Sequence, residues 1–193
     1  MNAEDQATHS GISSRQVEIR PAGSAAELEQ VRELMREYGF HLAHLAESPE
    51  SGARICIAGY DTELAGLPAP YVAPGGLLLA LVNGEAAGCV ALKQLRPAAM
   101  AEEAMCSSSP LELKRLWVRP GFRGLRLGQT LMQAAIDHAR ASGSDAIYLD
   151  TVPAAMPEAN RLYAAMGFEP VGRYNDNPVP DIAFFRLRLA AAS

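Results

Sequence analysis

Three cysteines, Cys56, Cys89 and Cys106, are all that the 193 residues carry, and no CxxC pair occurs. An odd count at wide spacing gives no disulfide framework, and no Cys/His cluster has zinc-ligand spacing, so no metal is expected. The three read as reduced, mostly buried thiols of a cytoplasmic protein. Basic residues are also scarce: 17 Lys and Arg stand against 22 Asp and Glu, for a net charge of −5. Bulk nucleic-acid binding needs a basic footprint and is set aside; a local basic pocket for a small anion is not. Long apolar runs are missing too. The longest, around Gly75–Val82, is far too short to cross a bilayer, and the polar start MNAEDQATHSGISSRQ has no signal-peptide core. Neither an internal repeat nor a second domain is visible. What is present, 49% hydrophobic and 20% charged residues, is ordinary globular composition. The length suits one domain with a real core.

Residues 1–16 read as a flexible tail and 17–193 as the domain. Val17–Arg20 fits a strand ended by Pro21. Ser24-Ala-Ala-Glu27 has capping-box form, and Leu28, Val31, Leu34, Met35 and Tyr38 recur at helical spacing, predicting a helix over 25–38 that Gly39 ends. The stretch 40–74 is rich in Gly, Pro, Ser and Ala and shows only a short helix before Pro49. Two apolar runs joined by Asn83-Gly84 predict a β-hairpin, because that dipeptide accepts positive φ at both turn positions. A loop over 96–110 and a strand over 111–118 follow. Residues 125–141 form the strongest helical pattern, with Gly143 as its stop. A buried strand over 146–150, a helix opened by Pro157 and closed by Gly167, and strands over 170–174 and 182–189 complete the chain. A helical crossover joins parallel strands, so the hairpin and the later crossovers together predict a mixed α/β sheet.

The segment Val118-Arg-Pro-Gly-Phe-Arg-Gly-Leu-Arg-Leu-Gly128 carries chemistry. A strand enters a tight Arg/Gly turn that opens straight into a helix. The first helical amides lack internal partners, the helix dipole adds positive charge, and glycines let backbone approach a phosphate. Arg123 and Arg126 can add charge-assisted bonds. The turn is a candidate pyrophosphate cradle, or else a plain strand-to-helix turn with solvated arginines. No Gly-Lys-Ser/Thr follows, so it is not a P-loop, and its glycine spacing is not that of a dinucleotide fold.

This segment resembles the pyrophosphate loop, Gln/Arg-x-x-Gly-x-Gly/Ala, of the GNAT superfamily of acyl-CoA N-acyltransferases. Arg123 and Gly128 match its ends, and Arg126 stands where the middle glycine belongs. Leu113–Pro120 resembles the family's fourth strand, and Ala159-Asn-Arg-Leu-Tyr-Ala-Ala-Met-Gly-Phe168 its A-x-x-L-Y-x-x-x-G-F segment. Met156 departs from an asparagine common there. Leu67-Pro-Ala-Pro-Tyr71 and Tyr174-Asn-Asp-Asn-Pro178 are similar to a bacterial subgroup whose substrates are not named. The similarity spans about residues 17–190.

The resemblance implies a single-domain GNAT-like α/β fold, a mixed central sheet flanked by helices with splayed fourth and fifth strands. It implies acetyl-CoA in that splay, on the main chain of Leu116, Trp117 and Val118, with pyrophosphate on Arg123, Gly124, Leu125, Arg126, Leu127 and Gly128, and Asn160 close by. An amine would attack the thioester directly, and a backbone N–H would stabilise the oxyanion. Tyr163 matches the family's acid for the leaving thiolate, which is basic enough to draw on a phenol of pKa about 10. On residue type alone Tyr163 is equally a core aromatic. Glu112, on the face of Lys114 and Leu116, is the candidate base or an ordinary strand carboxylate; Asp150 is its rival. Tyr71, Tyr174 and Asn177 could line an acceptor pocket, or Asn-Asp-Asn-Pro could be turn chemistry only. His41 and His44 fit an exposed helix face or a minor part in substrate binding. The hairpin and last strands could build a homodimer face. The rival reading is a non-catalytic acyl-CoA-binding module, kept open by Arg126 and Met156.

Overall fold

A computed structural model describes residues 15–46, 59–95 and 109–190. The tail over 1–14, most of the 96–110 loop, residues 47–58 with Cys56, and Cys106 lie outside the described residues; the short helix expected before Pro49 is, as far as Ala46, the continuation of the helix that starts at Ala25. At the centre is the hairpin. Asn83 (φ 51°) and Gly84 (φ 83°) take the two left-handed turn positions, so β2 (Gly76–Val82) and β3 (Glu85–Gln94) pair antiparallel. Leu77–Val82 and Ala86–Leu92 are buried throughout, because helices cover both faces. The two strands are therefore the interior of the sheet and not an association face.

Alternate residues divide the core. Leu77, Leu79, Cys89 and Ala91 meet α1 (Ala25–Ala46) and α2 (Tyr60–Ala65) on one face. Leu78, Ala80, Val90 and Leu92 meet Leu131, Met132, Ala135, Ile136 and Ala139 of α3 (Leu127–Ala141) on the other. Each fully buried leucine contributes about 2 kcal/mol of apolar transfer. The capping box forms as expected: Ser24 N–H donates to Glu27 Oε2 at 2.9 Å, and Glu27 N–H to Ser24 Oγ at 3.3 Å. Gly39 does not end α1, which runs on to Ala46. A Cβ at position 39 would fall 2.8 Å from Cε1 of Tyr60, so this glycine admits the α2 ring. Tyr60 then donates its hydroxyl to the Met35 carbonyl at 2.7 Å.

The remaining strands are β1 (Val17–Pro21), β4 (Pro110–Val118), β5 (Ala146–Thr151), β6 (Glu169–Val171) and β7 (Ala183–Arg188), in the spatial order β1-β2-β3-β4-β5-β7-β6. Among the described strands, only β4 and β5 pair in parallel. They do so over three positions, Pro110↔Ala146, Leu111↔Ile147 and Glu112↔Tyr148, and then part. The parting has a visible cause. Between Ala91↔Lys114 and Cys89↔Trp117, β3 advances two residues and β4 three, and Arg115 sits in the bulge at φ 58°. A bulge bends and twists its strand. The expected 170–174 strand is only Glu169–Val171, because the chain beyond turns across the end of β5. Helix α4 (Pro157–Ala165) closes in a Schellman turn, with Phe168 N–H on Tyr163 O (3.0 Å) and Gly167 N–H on Ala164 O (3.1 Å). No described helix is long and apolar enough to cross a membrane.

Candidate active site

Where β4 leaves β5, two cavities open, of about 620 Å³ and 250 Å³. Tyr38, Leu116, Ala155, Met156 and Ala159 line both, so they form one continuous cleft. Beyond Glu112, β4 has no strand neighbour on that side among the described residues, and its outward N–H and C=O groups face the opening.

The larger end is the Arg/Gly turn. Trp117, Val118, Arg123, Gly124, Arg126, Leu127 and Gly128 line it. The helical ladder of α3 begins with Thr130 N–H on Arg126 O at 3.0 Å, which leaves the amides of Leu127, Gly128 and Gln129 without helical partners. No acidic residue stands in this first turn. Arg126 resolves its own departure from the family pattern: at φ 58°, ψ 19° it takes the left-handed conformation that a glycine would adopt, and caps the helix. Its side chain is exposed. The guanidinium of Arg123 lies 5.6 Å over the Trp117 ring. Leu125, expected to offer its main chain at the cofactor, packs its side chain against the small cluster of Val82, Ala87 and Leu127. Arg119 fastens the turn from behind, with Nε on Glu37 at 2.9 Å and Nη1 on the Ala86 carbonyl at 2.7 Å. An open helix N-terminus flanked by two arginines, with Glu158 the one carboxylate lining this cavity, fits the pyrophosphate of acetyl-CoA.

Leu113, Lys114, Asp150, Thr151, Tyr163 and Asn177 line the smaller end. Lys114 Nζ bridges Asp150 (2.9 Å) and Glu112 (2.8 Å). Asn175 donates to Glu112 (3.2 Å) and Asp150 (2.9 Å), and Asn177 to Asp150 (3.0 Å). Burial would push the Asp150 carboxyl up, but Lys114 and the two asparagines outweigh it and hold it below the usual value. Burial likewise disfavours the Lys114 ammonium, and Glu112 and Asp150 together raise it.

Glu112 is 1% exposed and does not line the cleft. It accepts from Lys93 (2.9 Å), Lys114, Tyr174 (2.9 Å) and Asn175, and so forms the back wall of the network. Asn-Asp-Asn-Pro turns out to be both turn and site: Asn175 Oδ1 accepts from Asn177 N–H, Asn177 Oδ1 from Val179 N–H, and both amide groups reach Asp150. Tyr174 lies behind the cleft on Glu112. Tyr71 stands apart, donating to Glu63 at 2.6 Å away from both cavities. Asn160 lines neither cavity; its amide donates to the Met156 carbonyl at 2.7 Å. Met156 itself lines both.

Tyr163 is buried, and burial raises its hydroxyl well above the ordinary phenol value, so it stays protonated. Unlike Tyr60, Tyr71 and Tyr174, it has no hydrogen-bond partner among the described residues. His41 is half-buried, 5.0 Å from the Trp117 ring, and burial followed by the charge of Arg123 lowers its pKa; His44 is exposed. No group of His, Cys, Asp or Glu among the described residues could hold a metal ion.

Sequence reasoning did not assign Tyr38 or Lys114 to the cleft, nor Lys93 to the charged network behind it. Lys114 had a signal in its alternation with Glu112. The others meet the site only through the fold.

Comparisons with known proteins agree with this geometry. The model of the acetyltransferase (GNAT) family matches residues 28–168. An uncharacterized N-acetyltransferase of Schizosaccharomyces pombe is 33% identical over 143 residues, covering 73% of this chain and 81% of that one. Among solved structures, the PaiA N-acetyltransferase of Thermoplasma acidophilum in complex with coenzyme A aligns with a TM-score of 0.65 at 17% identity, over 90% of this chain and 99% of that one. A Salmonella typhimurium protein solved with its cofactor acetyl-CoA gives 0.62 at 19%, over 92% and 96%.

Proposed function

The chain belongs to the acetyltransferase (GNAT) family, and from that premise we propose that acetyl-CoA lies along the β4–β5 cleft and gives its acetyl group to an amine held at the Asp150 end. The observation that carries this is the continuity of the cleft from the free amides of α3, past the unpaired edge of β4, to Asp150 and Tyr163. Acetyl-CoA supplies an activated thioester carbonyl. The chain does the rest.

The amides of Leu127 and Gly128, with Arg123 and Arg126, hold the pyrophosphate end. Main-chain groups of Leu116, Trp117 and Val118 pair with the pantetheine arm as an added strand would. A β4 amide donates to the carbonyl oxygen as negative charge builds on it. Tyr163, kept protonated by its burial and without another partner, hands its proton to the departing sulfur. On the acceptor side the cleft-facing carboxylate is Asp150, and this favours it over Glu112 as the group that meets the incoming ammonium. Its depressed pKa makes it a counter-charge and not the proton acceptor, so the ammonium sheds one proton to water before attack, and the proton lost as the adduct collapses replaces the one that Tyr163 gives to sulfur. Glu112 then serves indirectly by holding Lys114. Asn177 shares the acceptor wall and Tyr174 serves behind it on Glu112, whereas Tyr71 takes no part in that wall.

The test is thiol release from acetyl-CoA across a panel of amines, with wild type and Asp150→Asn. Wild type should release thiol with at least one amine, and the variant should lose at least about tenfold in kcat/KM, as loss of a charged contact of roughly 1.4 kcal/mol would give. Stabilisation by CoA with no thiol release on a broad panel would point instead to a binding module, and no stabilisation by CoA would remove the cleft reading.

A further inference from the structure

We propose that Glu63 is a positioning residue for this reaction: through Arg115 it holds the β4 bulge and so fixes the backbone that walls the thioester end of the cleft. The inference rests on the reading that acetyl-CoA occupies that cleft.

Arg115 stands at φ 58°, in the left-handed region that L-residues other than glycine rarely adopt. Such a conformation persists only where the surroundings enforce it. Here they do so through the side chain. Arg115 Nε donates to Glu63 Oε1 at 2.9 Å and Nη2 to Oε2 at 2.6 Å, a two-pronged pair, and the guanidinium lies 4.6 Å over the Tyr60 ring. Glu63 also accepts from the Tyr71 hydroxyl at 2.6 Å. The Arg115 carbonyl in turn accepts from the Cys89 thiol at 3.6 Å. Tyr60 is tied to α1 through Met35. Thus α2, itself only six residues long, fastens the bulge to α1, to β3 and to the segment around Tyr71. Both charged side chains are less than one fifth exposed, so solvent screens the pair weakly.

Location separates positioning from plain stabilisation. The bulge lies just past the last β4–β5 pair, and Leu116, the next residue, lines both cavities. The far end of β4 is held independently: Arg119 N–H donates to the Ala87 carbonyl at 2.9 Å and its side chain is fastened to Glu37 and Ala86. Loosening Glu63 should therefore shift the reacting end and spare the pyrophosphate end.

The experiment uses the full chain with Glu63→Gln, which keeps size and loses charge, and Tyr71→Phe, which removes one bond to Glu63. Kinetics use acetyl-CoA with the panel amine that wild type acetylates fastest; amide exchange is followed by mass spectrometry. For Glu63→Gln we expect kcat to fall at least about tenfold, KM for acetyl-CoA to change less than about twofold, and amides of 113–118 to exchange at least about tenfold faster with α3 unchanged. Tyr71→Phe should move the same quantities less. A folded Glu63→Gln protein with kcat within about twofold of wild type, with KM rising as kcat falls, or with unchanged exchange over 113–118 overturns the proposal. If Glu63→Gln does not fold, Tyr71→Phe decides: wild-type kcat and exchange together overturn it. Wild-type protein that releases no thiol with any amine defeats the transfer reading instead, and the exchange arm alone then judges the clamp.

Discussion

Arg126 occupies backbone space that a glycine enters at no steric cost, and it brings a cation to the mouth of an anion site. The two effects oppose each other in Arg126→Gly. Relief of about 1 kcal/mol of left-handed strain is offset by the larger chain entropy of glycine when unfolded, about 0.5–1 kcal/mol. The melting temperature should hardly move. CoA affinity should fall about tenfold, the worth of one charge-assisted bond, and the loss should shrink as salt is added. Isothermal titration at two ionic strengths reads both. Tyr163 offers the complementary case. Tyr163→Phe keeps the ring among Phe168 and Phe185 and removes only the hydroxyl. Turnover should drop about 100-fold, within the range for a positioned acid, while the dissociation constant of CoA stays put. Equal turnover would take the hydroxyl out of the mechanism.

At the scale of elements, the Glu112–Lys114–Asp150 network joins β4 to β5 just where they part. Glu112→Gln leaves Lys93 and Lys114 with one carboxylate between them. Breaking a buried pair in this way should cost about 3 kcal/mol in urea unfolding. The same network sets a pH window. The Asp150 pKa is depressed in the fold, so its contribution is present above its unfolded value of 3.8 and is lost as pH falls through the lower folded value. The Lys114 pKa is raised, so its contribution is present below 10.5 and is lost as pH rises through the higher folded value. Unfolding followed from about pH 3 to 10 should show a plateau whose acid edge softens in Asp150→Asn. The elements legible from sequence were those whose signal is local. The Asn83-Gly84 hairpin, the capping box, α3 and the Arg123–Gly128 turn carry their instructions within a few residues. Gly39 did not, because a glycine that stops a helix and one that admits a neighbouring ring look alike in sequence. Helix α2 is too short to show a period. The bulge at Arg115 depends on register against β3 and on Glu63, 52 residues away. The site divides the same way: the turn proposed for pyrophosphate is local in sequence, whereas the surroundings of Asp150, Asn175 and Tyr71 depend on partners brought together by the sheet.

The whole molecule separates its charge. A chain of net −5 gathers Arg123 and Arg126 at one mouth of the cleft, against the single carboxylate of Glu158 there, and a balanced set of two carboxylates and two lysines toward the other. The average therefore said nothing about the ligand, and the positive field that matters is a few ångströms across. One further property follows from where the cleft runs. The protein has a single tryptophan, Trp117, and its indole lies in the cleft wall between Tyr38 and His41, with Arg123 above it. All tryptophan emission therefore comes from that one ring, which is only 7% exposed. Titration with CoA should shift or quench this emission along one saturable curve, with a midpoint that matches calorimetry and moves with it in Arg126→Gly. The site thus carries its own lamp, and ligand entry can be watched without a label.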